Sequence, residues 1–213
     1  MIKLVMFDWD GTIVDGLSLN YKIYIEITKR LGKRMPESPQ DLAKLTNGKY
    51  EELYHNLGIR TKDEVEKATK SYWELFESLK DEFELFPGIM EVISSLKKRG
   101  IRIAIISNCE KPLLAILIDK FGLSGYLDLV VAHGDTENIK PEPDQIHFCL
   151  EKLKVKPKEA IFVGDMINDI VAARKANLRK VIAVTYGWHT REQLEKLKPD
   201  VIVDKTDEIL ENL

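Results

Sequence analysis

Cysteine is scarce in this chain of 213 residues, which carries only Cys109 and Cys149. Their separation does not match the close spacing of cysteine-ligated metal sites or redox motifs, and disulfide-rich domains need more cysteines. The sequence therefore excludes a disulfide framework and a cysteine-bound metal. We expect a cytoplasmic protein with two free thiols.

An excess of charge of one sign and long apolar runs are also missing. Basic and acidic residues number 32 and 35 and are interspersed along the chain, which gives a formal net charge of -3. No basic stripe of the kind that binds nucleic acid is present. The apolar runs are much shorter than a membrane span, and the first reaches Asp8 too early to be a signal peptide. We expect a soluble protein that binds neither nucleic acid nor membrane.

What the sequence does contain is a regular alternation of short apolar segments and amphipathic helices from Phe86 onward. Strands are predicted at 101–106, 127–132, 160–163, 181–185 and 201–203. Strands that alternate with helices of this length form a parallel sheet with helices on both faces. The apolar run Leu4 to Phe7 reads as a buried strand of the same sheet. The predicted fold class is therefore α/β.

A segment with helical periodicity alone interrupts this pattern between the first strand and the others. Ser38-Pro39 and Thr61 carry the signatures of helix starts. We predict an all-α domain at 16–84, inserted into an α/β catalytic core formed by 1–15 and 85–213. Within the insertion, Asn47-Gly48-Lys49 breaks the helical run, either as a substrate-facing loop or simply because Gly48 ends a helix.

Polar side chains of catalytic types follow four of the predicted strands. They are Asp8 and Asp10 after the first strand, Ser107 and Asn108 after the second, Lys140 after the third, and Asp165 and Asp169 after the fourth. Carboxyl ends of parallel strands meet at one edge of the sheet, which is where such sheets bind ligands. We therefore expect these residues to form a single site.

In this order, the four segments resemble the motifs of the haloacid dehalogenase-like superfamily, in its phosphatase branch. The matching segments are Asp8-Trp-Asp10-Gly11-Thr12, Ser107-Asn108, Lys140-Pro141 and Gly164-Asp165-Met-Ile-Asn-Asp169. The resemblance spans the chain from the first strand to the last and implies a Rossmann-like sheet with a helical cap inserted after the first motif. It also implies that the substrate phosphate is bound by Gly11, Thr12, Ser107, Asn108 and Lys140.

The residue types themselves fit phosphoryl transfer. The Asp8 carboxylate is placed to attack a phosphoryl group and form an acyl-phosphate. Asp8, Asp165 and the backbone carbonyl of Asp10 offer the oxygen ligands that Mg²⁺ takes in proteins. Asp10 is left to protonate the leaving oxygen and then to accept a proton from the water that hydrolyses the intermediate.

Four further residues are expected to support this chemistry. Ser107 and the backbone N–H of Asn108 are predicted to open a helix, where free amides and the helix dipole favour an anion. Lys140 adds a positive charge for the same phosphoryl oxygens. The resemblance implies that Asp169 anchors a metal-bound water or orients Lys140.

We therefore expect a Mg²⁺-dependent hydrolase of phosphoric monoesters that acts on a small phosphorylated metabolite, similar to phosphoglycolate phosphatases, as a monomer or homodimer. In the resembling superfamily, an acid at Asp10 favours a phosphatase or phosphomutase over the dehalogenases and ATPase pumps. Two alternatives stay open: a sugar phosphomutase, and a non-catalytic binding protein. A non-catalytic binding protein would not need the full set of site residues, so the presence of all of them argues against this alternative.

Overall fold

The computed structural model describes residues 1–46 and 48–213. The strands in this part of the chain are β1 (Leu4–Phe7), β2 (Val14–Asp15), β3 (Glu84–Leu85), β4 (Arg102–Glu110), β5 (Leu129–His133), β6 (Ala160–Gly164), β7 (Lys180–Val184) and β8 (Val201–Val203). The α-helices are α1 (Leu17–Arg30), α2 (Pro39–Lys44), α3 (Tyr50–Asn56), α4 (Lys62–Leu79), α5 (Ile89–Lys98), α6 (Lys111–Lys120), α7 (Asp144–Leu153), α8 (Ile167–Lys175), α9 (Arg191–Glu195) and α10 (Glu208–Glu211). Short 3-10 helices lie at Lys80–Glu82 and Pro157–Glu159.

Six strands form one parallel sheet in the order β5-β4-β1-β6-β7-β8. β1 lies at its centre, where Leu4 is in register with Arg102 of β4 and with Ala160 of β6. All four residues of β1 are 0% exposed, which requires cover on both faces of the sheet. The predicted α/β class with a parallel sheet is confirmed.

Helices on the two faces of the sheet bury its alternating side chains. Leu4 and Met6 share one hydrophobic cluster with Ile146 of α7 and Ile170 of α8. Side chains alternate along a strand, so Val5 lies on the opposite face of β1. With both faces covered by apolar packing, polar side chains gather at the carboxyl ends of the strands.

The chain divides into two compact units, one of Met1–Val14 with Leu85–Leu213 and one of Asp15–Glu84. The first contains the parallel sheet. The assignment of the units as a catalytic core and a cap stays a prediction. β2 and β3, which the sequence did not predict, pair with each other where the chain passes from one unit to the other.

The Asp15–Glu84 unit consists of helices α1 to α4 between the two short strands. As predicted, Ser38 caps α2, and Thr61 begins α4 with a capping box. Tyr24 and Tyr72 pack with ring centroids 5.7 Å apart in its interior. Asn47 lies outside the described residues, so the interpretation of segment 47–49 stays a prediction.

The end of β4 departs from the prediction. The sequence pattern ends this strand at Ile106, but the strand continues to Glu110 and α6 begins only at Lys111. Pairing with β5 resumes at Glu110, opposite His133, after a shift of register. Ser107 and Asn108 therefore lie in the irregular end of a strand, and the prediction that they open a helix was wrong.

Two simpler expectations concern cysteines and membrane segments. Cys109 and Cys149 are both free. Burial raises the pKa of each thiol to about 12, which agrees with packing and not with thiolate chemistry. Across the described residues, no helix is both long and apolar enough to span a membrane.

Candidate active site

Three buried carboxylates meet at the carboxyl ends of β1 and β6. Asp8, Asp165 and Asp169 each place one oxygen within 4.8 Å of the others. The buried Lys140 ammonium lies among them, with Nζ 2.7 Å from Asp8 Oδ1 and 2.7 Å from Asp169 Oδ1. Lys140 is 1% exposed, so these are desolvated, charge-assisted contacts. The structure thus brings together four residues that three separate motifs predicted.

The cluster carries more negative charge than its lysine neutralises. Burial, and then the charge of Asp169, raise the pKa of Asp8 to about 6 although Lys140 opposes the shift. Burial, and then Asp8 and Asp169, raise the pKa of Asp165 well above its usual range. Burial disfavours the charged form of Lys140, yet Asp169 and Asp8 outweigh it and raise the pKa of the ammonium. Lys140 is therefore a permanent cation.

Neutral donors orient the carboxylate of Asp165. The hydroxyl of Thr12 donates to Asp165 Oδ1 at 2.9 Å, and the backbone N–H of Trp188 donates to Oδ2 at 2.7 Å. Because Thr12 is 0% exposed, its hydroxyl does not reach solvent and donates to Asp165 instead. The phosphate-binding role that the resemblance implies for Thr12 stays a prediction.

The start of α8 and the glycine before Asp165 fix Asp169. Asp169 Oδ2 accepts the backbone N–H of Met166 at 2.9 Å, which satisfies one of the free donors at the helix start. A Cβ on Gly164 would lie 2.5 Å from the same oxygen, so only glycine leaves room for this carboxylate. The other oxygen accepts a hydrogen bond from Lys140 Nζ. The two roles expected of Asp169, anchoring a metal-bound water or orienting Lys140, stay predictions.

The amide side chains of the half-buried Asn108 and the buried Gln145 hold the loop that carries Lys140. Asn108 Oδ1 accepts the backbone N–H of Lys140 at 3.0 Å, and Asn108 Nδ2 donates to the Lys140 carbonyl at 2.9 Å. Gln145, which is 0% exposed, donates to the Ser107 carbonyl at 2.8 Å and accepts the Lys140 N–H at 3.4 Å. The Asn108 side chain thus joins the second motif to the third.

The loop after β1 turns back on itself directly beyond Asp8. Gly11 has φ +89°, and its N–H donates to the carbonyl of Val14 at 2.8 Å. A Cβ on Gly11 would collide with Asp165, so this position needs glycine for both conformation and space. Asp10 is half-buried and its carboxylate lies outside the three-carboxylate group that the described residues form. Its predicted metal contact was through the backbone carbonyl, and that stays a prediction.

The residues present fit a hard divalent cation. Three carboxylates face one ammonium, and their oxygens are the donor type that such ions prefer. Asn168, the residue before Asp169 on α8, has a buried amide oxygen for which the described residues offer no hydrogen-bond partner. The raised pKa values of Asp8 and Asp165 have the same causes, first burial and then the negative charge of the neighbouring carboxylates.

Comparison with known proteins identifies the family. The family described as haloacid dehalogenase-like hydrolase matches residues 5–184, which include all four motifs. The chain belongs to this family, and the resemblance inferred from the motifs is confirmed. The prediction of an enzyme of the hydrolase class is confirmed with it.

Two relatives and one solved structure show how similar the chain is to named phosphatases. Over 98% of its length the chain is 33% identical to PpaX of Caldanaerobacter subterraneus subsp. tengcongensis, provisionally named a pyrophosphatase, and covers 93% of that protein. It is 27% identical to phosphoglycolate phosphatase 1 of Pseudomonas aeruginosa, over 98% of this chain and 78% of the other. The crystal structure of a predicted phosphoglycolate phosphatase from Haemophilus somnus matches with a TM-score of 0.90 at 25% identity, over 99% of this chain and 97% of that one.

Two groups of site residues were missed by the sequence reasoning. Gln145 had a usable signal, because a polar residue stands next to Ile146 and one helical turn before Cys149 on the buried side of α7. The loop after β7 had none, because its contact with Asp165 is made by a backbone N–H.

Proposed function

We propose that this chain is a Mg²⁺-dependent phosphomonoester hydrolase that acts on a small phosphorylated metabolite through an aspartyl-phosphate on Asp8. The observation that carries the proposal is the buried cluster in which Lys140 Nζ lies 2.7 Å from oxygens of both Asp8 and Asp169, beside Asp165. The named phosphatases among its relatives support the same reaction class.

Asp8 is the proposed nucleophile. One carboxylate oxygen of Asp8 forms a bond to phosphorus as the bond between phosphorus and the leaving oxygen breaks, and Asp10 gives its proton to that oxygen. A water molecule then attacks the phosphorus of the acyl-phosphate and gives a proton to Asp10. Phosphate leaves and the Asp8 carboxylate is restored, so the atoms and protons balance.

The other residues support this exchange without changing covalently. The ion pair with Lys140 fixes the side chain of Asp8, and the ammonium offsets negative charge where a phosphate dianion would approach. Asp8, Asp165 and the backbone carbonyl of Asp10 would hold Mg²⁺. When bound, Mg²⁺ supplies the positive charge that neutralises the phosphoryl oxygens. Ser107 and Asn108 lie beside the Lys140 loop, which supports their proposed contact with the same oxygens.

The proposed substrate class, a small phosphorylated metabolite, rests on the names of the relatives and on the predicted domain organisation of the chain. We include in the proposal that the helical segment 16–84 acts as a cap that selects the substrate. A cytoplasmic location with free thiols is part of the same proposal, while the choice between monomer and homodimer stays a prediction. Phosphoglycolate and pyrophosphate head the substrate panel because relatives carry those names.

Phosphate release from a generic aryl phosphate tests the proposal. We compare wild type, Asp8→Asn and Asp119→Asn, each with Mg²⁺ and with a chelator. Asp119 is exposed on α6 and serves as the matched control. We expect Mg²⁺-dependent turnover in wild type and Asp119→Asn, and none in Asp8→Asn. Acid quenching with radiolabelled substrate should leave labelled phosphate on wild type and on Asp119→Asn, but not on Asp8→Asn.

Different failures have different meanings. Turnover that persists in Asp8→Asn would exclude Asp8 as the nucleophile. Conversion of a sugar phosphate to its isomer with no net phosphate release would identify a phosphomutase and overturn the hydrolase. The metabolite panel is run on the same three proteins, so that rejection of a bulky aryl group is separated from inactivity.

A further inference from the structure

The loop after β7, residues 185–190 (the β7 loop), packs against Asp165. This loop is not part of any of the four motifs. Trp188 donates its backbone N–H to Asp165 Oδ2 at 2.7 Å. Tyr186 donates its hydroxyl to the carbonyl of Thr12 at 3.3 Å, and Thr12 donates its own hydroxyl to Asp165 Oδ1 at 2.9 Å. The loop therefore contacts one oxygen of Asp165 directly and the other through Thr12.

Gly187 is required where the β7 loop passes Asp165. A Cβ at this position would collide with Asp165 Oδ2 and with the carbonyl oxygen of Gly11. Gly11 is equally confined on the other side, where a Cβ would lie 2.6 Å from Trp188 Cδ1. The two loops thus approach each other through their backbones, with the Asp165 carboxylate between them.

His189 ties the β7 loop to the start of α8. It is 2% exposed, and its Nδ1 accepts the backbone N–H of Ile167 at 3.0 Å. Ile167 is the first residue of α8, so its N–H has no acceptor within the helix. The imidazole satisfies this donor in the segment that runs from Asp165 to Asp169. The loop and that segment are joined at both the Trp188 and His189 positions.

We propose that the β7 loop is a further segment of the metal site, besides the first and fourth motifs, in which Gly187 and Trp188 hold the Asp165 carboxylate in the orientation that binds a hard divalent cation. His189 is the positioning residue that keeps the loop in place. This inference rests on the proposed function only in taking Asp165 as a metal ligand.

The chemistry of the two donors supports this role. Both Thr12 and Trp188 are neutral, so they orient the carboxylate without cancelling its charge. Each oxygen of Asp165 accepts one hydrogen bond from them and keeps a further lone pair for an ion. Partners of this kind hold metal ligands in position, and their loss weakens metal affinity by about 10–100-fold.

The test measures Mg²⁺ binding to the full chain by calorimetry, with no substrate present. We expect Gly187→Ala to weaken Mg²⁺ binding at least ~10-fold. Gly125→Ala is the matched control, because a Cβ there meets nothing within 4 Å. It should bind Mg²⁺ within about twofold of wild type. An affinity for Gly187→Ala equal to that of the control would overturn the inference.

A second pair of variants decides the matter if Gly187→Ala does not fold. His189→Leu removes the acceptor for Ile167 and should weaken Mg²⁺ binding several-fold, whereas His189→Asn returns an acceptor oxygen and should recover most of the affinity. Leu194→Val, at a buried position of α9, controls for a general loss of stability. Equal Mg²⁺ affinity in both His189 variants would remove His189 from the positioning role.

Asp165→Asn separates this inference from the proposed function. If Asp165→Asn binds Mg²⁺ as wild type does, the assignment of Asp165 as a ligand fails and both proposals lose their metal site. If Asp165→Asn loses Mg²⁺ while the Gly187 and His189 variants keep it, the proposed function stands and the role of the β7 loop is overturned.

Discussion

Replacing Lys140 with methionine removes the only ammonium that the structure places in the three-carboxylate cluster of the described residues. Methionine keeps much of the side-chain volume but leaves Asp8, Asp165 and Asp169 without their buried cation. Removing one partner of a buried ion pair costs about 3–5 kcal/mol, because the remaining charge is left uncompensated. In a chain of 213 residues this corresponds to a fall in the unfolding midpoint of ~6–20 °C.

The size of the effect should depend on pH. The pKa of Asp8 is about 6 even with Lys140 in place, and removing the ammonium raises it further. Below that pKa the carboxyl groups take up protons and the lost cation matters less. We therefore expect Lys140→Met to be more destabilised, relative to wild type, at about pH 7.5 than at about pH 5.

Thermal and denaturant unfolding of the chelator-treated proteins test this prediction. Lys175→Met is the matched control, because Lys175 pairs with Glu142 at 2.7 Å while both side chains are exposed by more than 40%. Such a pair contributes about 0–1 kcal/mol. The reasoning is refuted if Lys140→Met unfolds within about 1 kcal/mol of wild type at the higher pH, or if the control loses as much.

Three further predictions concern the same site. Asp10→Asn should lower kcat at least ~10²-fold in the steady state if Asp10 is the acid and base, and a loss below tenfold would remove that role. Because the pKa of Asp8 is raised from 3.8 to about 6, its ionisation opposes folding, so the stability of metal-free wild type relative to Asp8→Asn should fall by about 3 kcal/mol as the pH rises from below 4 to above 6. Denaturant unfolding at a series of pH values measures this difference, and a constant difference would contradict it. Gln145→Leu removes the donor to the buried Ser107 carbonyl, while the Lys140 N–H keeps its bond to Asn108 Oδ1. This change should cost about 1–3 kcal/mol in urea unfolding, whereas an unchanged midpoint would mean that other groups satisfy the carbonyl.

The sequence was most informative where local chemistry sets the structure. Apolar strands of the right length, capping residues such as Ser38 and Thr61, and acids that follow strands were all readable without coordinates. Parallel-sheet geometry then placed Asp8, Lys140, Asp165 and Asp169 at one edge, because the carboxyl ends of the strands must meet there.

Tertiary pairing determines the features that the sequence did not indicate. β4 continues to Glu110 because it pairs with β5 again after a shift of register. No local sequence pattern predicts pairing beyond such a shift. The β7 loop contacts Asp165 through the backbone of Trp188, which any residue other than proline provides. Gln145 lay within reach of sequence reasoning, since a polar side chain on an apolar helix face requires a buried partner.

The central place of β1 in the sheet has a consequence for the order in which the chain is made. β1 is synthesised before the other strands of the sheet, and its two neighbours begin only at Arg102 and Ala160. The helical unit Asp15–Glu84 is contiguous and is complete before either neighbour exists. Domains generally fold as units during synthesis, so this unit can fold before β1 has a neighbouring strand to pair with. The strand that precedes Asp8 thus has both neighbours only after β6 has been made, and the three carboxylates meet only after Asp169 has been translated.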